Sequence, residues 1–150
     1  MTAQVADKLP NAHSRIDFGE LRMYGLIRQD PSEENCWSGV LGDVFDHARP
    51  PRKQTGTYCT ACYRGYVASH LLNADGTLTL LGYEYMHPED AAVQGKVATP
   101  IDVEKDPVNE RVPGDFWMVL RLRFSDGPTT FVPFRDGHII EDRRQWIVVP

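Results

Sequence analysis

The fold is decided by residues 58–86, which read YCTACYRGYVASHLL (58–72), NADG (73–76) and TLTLLGYEYM (77–86). Both flanks are rich in aromatic and β-branched residues, and the polar segment between them carries Gly76, which can take a positive φ. The pattern predicts a β-hairpin. Side chains alternate along a strand, so Tyr66, Ala68, His70 and Leu72 share one face and Val67, Ser69 and Leu71 the other.

The C-terminal third repeats this logic. FWMVLRLRF (116–124) alternates, with Met118, Leu120, Leu122 and Phe124 on one face and Trp117, Val119, Arg121 and Arg123 on the other. SDGP (125–128) turns the chain into TTFVPF (129–134), RDGH (135–138) turns it into HII, and WIVVP ends the stretch. Pro133 lacks the N–H a ladder needs and so implies an edge strand or a bulge.

Upstream the pattern is less regular. In FGELRMYGLIRQD (18–30), Leu21, Tyr24 and Ile27 could line a short helix, yet Gly19 and Gly25 leave a strand equally open. PSEENCWSGVLGDVFDHARPP (31–51) begins like a helix, with Ser32 placed to cap it and Glu33 and Glu34 in its first turn. Residues 87–114 carry Pro88, Pro100, Pro107 and Pro113 and read as a long irregular connection, with local strand over 92–101. The expected fold class is therefore α+β: mainly antiparallel β-sheet, as a curled sheet or half-barrel, with one or two short helices. Residues 1–16, polar and carrying Pro10, read as a loose leader before a single β-rich domain over 17–150.

Composition narrows the function. The chain has 150 residues, 41% hydrophobic and 25% charged, which suits one globular domain. A net charge of −5 disfavours nucleic-acid binding, which needs cations to displace counterions from phosphates. No apolar run approaches the roughly 20 residues of a membrane helix. The N-terminus shows neither the basic nor the apolar region of a signal peptide, and three cysteines cannot pair fully. The expectation is a cytoplasmic protein.

Three constellations stand out. Cys59-x-x-Cys62 followed by Gly65 has the shape of a zinc knuckle, which Cys36 and His70 (or His47) could complete as a Cys₃His set. In one continuous strand, however, Cys59 and Cys62 point to opposite faces, and buried inert cysteine is the commoner state. Asp43, Asp46 and His47 lie close in sequence, but such a run is usually a solvated helix face. No nucleophile elbow, zincin or phosphate-loop motif is present, so the expectation is no enzyme and no cofactor. Finally, Trp117, Arg121 and Arg123 share a face, and Glu84, Glu89 and Asp90 form an acidic group. Aromatic and arginine side chains of this kind dominate interface energetics.

The run Thr60 to His70, with Gly76-Thr-Leu-Thr-Leu-Leu81, resembles a hairpin in a group of small uncharacterised bacterial proteins. These carry an aromatic-Arg-Gly-Tyr-aliphatic-small motif, here Tyr63, Arg64, Gly65, Tyr66, Val67, Ala68 and Ser69. Tyr63 and His70 stand where that pattern usually has Trp. The resemblance implies no established activity. It suggests a stand-alone protein of the kind found beside secreted toxins, an immunity protein that neutralises a bacterial toxin by occlusion. The expected partner is then a basic toxin domain, and the alternative is a small zinc-binding or regulatory domain.

Overall fold

A computed structural model of the chain describes residues 6–28, 30–31, 66–85, 109–122 and 127–150. Eight strands appear in chain order: β1 (Leu21–Ile27), β2 (Tyr66–Leu72), β3 (Leu78–Tyr85), β4 (Glu110–Arg111), β5 (Phe116–Leu122), β6 (Thr129–Arg135), β7 (His138–Ile139) and β8 (Ile147–Val149). They form two antiparallel sheets. One has the order β1-β5-β6-β7, with β8 also on β6, and the other has the order β2-β3-β4.

The strand pairs expected around NADG, SDGP and RDGH all form, as β2–β3, β5–β6 and β6–β7. Gly76 takes φ 89° at the β2–β3 turn. Asp75 Oδ1 accepts from the backbone N–H of Thr77 at 3.0 Å and from its hydroxyl at 2.6 Å, and Asn73 Nδ2 donates to Thr79 Oγ1 at 2.8 Å. At the β6–β7 turn Asp136 (φ 51°) and Gly137 (φ 78°) are both left-handed, as a two-residue turn with the right twist requires. A Cβ on Gly137 would stand 2.9 Å from the carbonyl oxygen of Val112.

The main core lies between the sheets. Met23 and Leu26 come from β1, Ala68 and Leu72 from β2, and Leu78, Leu80 and Tyr83 from β3. Phe116, Met118 and Leu120 of β5 and Val132 and Phe134 of β6 lie on the same sheet as the β1 pair and meet the β2 and β3 residues across the core, with Phe116 and Phe134 stacked at 4.5 Å. Alternation then places Val119 and Phe131 on the opposite face, where they form a smaller cluster with Tyr24 and Ile27.

Two bulges set which residues point inward. In β1 the register slips between Met23 and Gly25, leaving Tyr24 unpaired. Met23 and Leu26 therefore share the main core although three residues apart, and Tyr24 and Ile27 share the other face. This spacing of three imitates a helix, which is why the sequence left the element open; it is a strand. In β3 the register slips between the partners of Ser69 and His70, so Leu78, Leu80 and then Tyr83 face inward.

The expected loose leader is corrected for residues 6–16. Residues 7–12 run parallel along β2, with bridges Lys8–Ser69 and Asn11–Leu72. Lys8 N–H donates to Ala68 O (3.0 Å), His70 N–H to Lys8 O (2.9 Å), Leu72 N–H to Pro10 O (3.0 Å) and Ala12 N–H to Leu72 O (2.9 Å). Pro10 fits because the ladder asks it only for a carbonyl. Asp7 joins the sheets: its N–H donates to Met23 O (2.9 Å), and its Oδ1 accepts from Ala68 N–H (3.1 Å). A second tie runs from Ile139 N–H to Gly76 O at 2.8 Å, beside a Thr77–His138 bridge. The sheets do not close into a barrel.

Two other expectations meet the structure differently. Among the described residues the helical element is one 3₁₀ turn, Arg143–Gln145, capped by Asp142, which accepts from Arg144 N–H. The helix expected after Ser32 and the strand expected over 92–101 lie outside the described residues. Pro133 sits in β6, which is internal to its sheet. Its carbonyl accepts from Ile140 N–H at 3.0 Å, so its missing N–H faces the interval between β7 and β8, where β6 has no ladder partner to lose.

Gly137→Ala is expected to destabilise the fold by about 1–3 kcal/mol, the cost of holding a side-chain-bearing residue at such a φ, with the Val112 contact adding to it. Urea denaturation measures this; an unchanged midpoint would contradict the turn assignment. Asp75 supplies a pH test. Its bonds to the Thr77 hydroxyl and N–H, then to Arg111, lower its pKa from 3.8 to about 2. Its contribution is therefore complete above pH 3.8 and is lost as pH falls through about 2. Thermal melts over this range should fall less steeply for Asp75→Asn than for the parent chain.

Candidate functional site

Strand pairing brings three chain segments to one end of the larger sheet. Ile27 of β1 pairs with Trp117, Trp117 with Pro133, and Phe116 with Phe134. Where these strands end they enclose an open hollow of about 160 Å³. Phe116, Pro133 and Phe134 are buried and form its floor, while Trp117 is half-buried against Ile27 and Phe131.

The rim is polar. Arg28 leaves β1 and its Nη1 donates to Asp115 O at 3.0 Å. The Asp115 carboxylate accepts from Asp136 N–H at 2.9 Å, and Gly137 N–H donates to Gly114 O at 2.8 Å, so the turn before β5 is locked to the turn after β6. Arg135 ends β6 and is exposed, and its side chain has no hydrogen bond or ion pair among the described residues. The far wall is Ile140 and Gln145, held by the 3₁₀ turn and by Trp146 Nε1, which donates to Ile140 O at 2.9 Å.

Chemically, two arginines, one with its guanidinium already oriented, line the hollow together with aromatic residues. The single rim carboxylate is turned toward a backbone amide. Small-molecule sites usually occupy roughly 300–1,000 Å³. The hollow is below that range and matches the scale of one inserted side chain.

A second polar group lies between the N-terminal segment and the C-terminal loop. His13, with its side chain 3% exposed, meets Glu141 Oε1 through Nε2 at 2.9 Å, and Arg15 reaches the same oxygen at 3.2 Å. His13 Nδ1 accepts from Arg15 N–H at 3.3 Å, so in the neutral ring Nε2 is the donor to Glu141. Both ring nitrogens are engaged within the fold, and the group acts as a tie between segments.

Of the residues singled out from the sequence, Trp117 lines the hollow. Arg121 is on the same face of β5 but is half-buried, with its Nε donating to Thr129 Oγ1 at 3.0 Å. Glu84 occupies a β3 position paired with Val67. Arg123, Glu89 and Asp90 lie outside the described residues, as do Tyr63, Arg64 and Gly65 of the motif; Tyr66 opens β2 opposite Tyr85. Cys36, Cys59, Cys62, His47, Asp43 and Asp46 are likewise outside. His70 is buried in β2 between Ala68 and Leu72. Among the described residues no three potential ligands cluster as a metal site would need.

Arg28, Arg135 and Gln145 were not legible as site residues. Each follows or flanks an element end, and only the register of β1 on β5 brings Arg28 to Trp117. Among the described residues no helix is long and apolar enough to cross a membrane. The chain matches no protein-family model, and neither the curated proteins nor the solved structures contain a significant match to it.

Proposed function

We propose that this protein acts by binding another protein, without turnover, and that the hollow beside Trp117 is a contact point. The observation that carries the reading is the hollow itself: side-chain-sized, open to solvent, floored by aromatic rings and rimmed by arginines on strand ends. Trp and Arg at a rigid, partly dry concavity are the residue types that concentrate binding energy at interfaces. Strand ends tied by backbone hydrogen bonds also lose little freedom on binding, which favours affinity.

The resemblance of the Tyr63–Ser69 run suggests a setting, an immunity protein that neutralises a bacterial toxin by covering its active site. The sign of the partner's charge is a separate matter. A basic partner is suggested by Glu84, Glu89 and Asp90, whereas the hollow offers arginine and selects an acid locally.

Native mass spectrometry of the tagged chain, purified gently from its own host, tests the reading. The expected result is a one-to-one complex with a second protein. Gln145→Trp, which fills the hollow from its exposed wall, should reduce that complex at least tenfold, a change equivalent to about 1.4 kcal/mol. A bare chain from the unaltered protein, or a complex indifferent to Gln145→Trp, would overturn it.

A further inference from the structure

We infer that the hollow receives a side-chain carboxylate, from an aspartate or glutamate that neighbours an apolar residue on the partner; this rests on the binding reading above. Four observations converge on it. Arg135 lines the hollow, and its side chain has no hydrogen-bond or ion-pair partner among the described residues. Among the described residues Arg28 is held by Asp115 O through Nη1 alone, which leaves its other N–H groups for an incoming acceptor. Asp115, the one carboxylate on the rim, is committed to Asp136 N–H and does not neutralise the arginines by direct pairing. Half-buried Trp117 and Ile140 supply apolar surface for the methylene stem of the acid, beside which a charge-assisted bond is stronger than in open water.

Charge distribution makes the assignment selective. The chain as a whole carries −5, so an acidic partner residue is repelled by the molecule on average and attracted at this rim. Complementary and like-charge contacts together fix orientation more than they add affinity. A neutral amide of the same shape would fit the hollow and gain none of this.

The test is selection of a phage-displayed random peptide library on the immobilised full chain and, in parallel, on Arg135→Glu. The expected pool from the unaltered chain is enriched about two- to five-fold in Asp and Glu at one position beside an apolar residue, the discrimination an exposed arginine–carboxylate pair supplies. On Arg135→Glu the preference at that position should shift to Lys and Arg. Arg135 is exposed, so the variant should melt like the parent; Arg135→Gln serves as a neutral comparator should it not. A pool that is lost on Gln145→Trp yet shows no acidic preference overturns the carboxylate and leaves the binding reading standing. A failure to select any Gln145→Trp-sensitive pool also overturns it, and the mass measurement then decides the binding reading by itself.

Discussion

The backbone N–H of Asp7 bonds to β1 of one sheet while its carboxylate bonds to β2 of the other, and the core lies between the strands that this residue joins. The constraint behind it is general: a sheet edge presents unpaired polar groups that must be satisfied or shielded. Here β2 is covered by residues 7–12 and the end of the β2–β3 hairpin by β7. The ties themselves are hydrogen bonds of ordinary length, 2.8 to 3.1 Å. With the β2 edge covered and the sheets tied together, the two inner faces can exclude water from Leu72, Leu78, Met118 and Leu120, all essentially inaccessible. Burial on that scale is the dominant favourable term of such a fold.

The parts of the fold legible in the sequence are those whose geometry is local. NADG and RDGH announce their turns because a left-handed residue must be glycine, asparagine or aspartate. FWMVLRL announces its two faces because nothing interrupts its alternation. The parts that were not legible depend on partners far away. β1 looks half-helical because the bulge at Tyr24 resets its phase, and a bulge is specified by the strand opposite. The 7–12 segment looks like a leader because it is polar and contains Pro10, and its order comes from the edge of β2. Pro133 points to an edge by chemistry alone, whereas the gap that admits it exists only once β7 and β8 have both paired with β6.

The candidate site divides the same way. Trp117 was visible as an aromatic on an arginine-bearing face. Its supposed companion Arg121 is occupied by Thr129, and the cations that do share its hollow come from the ends of β1 and β6. These residues are 107 positions apart, so no spacing rule relates Arg28 to Arg135. A concavity made by three converging strand ends is a property of register, and register is the last thing a single sequence discloses.

The clasp between the N-terminal segment and the C-terminal loop has a consequence for the order of synthesis. Arg143 donates to the carbonyl of Asp17 at 2.8 Å across 126 positions of chain, and Glu141 meets His13 and Arg15 close by. Among the described residues β1 takes its ladder partner from β5, and β6 is completed by β7 and β8. While the chain is being made, β2 and β3 can pair as a local hairpin, but β1 must wait for β5. Contacts of such span slow folding because loop closure precedes any reward. The edge of β1 stays open until β5 arrives, and until then it depends on whatever shields a nascent chain.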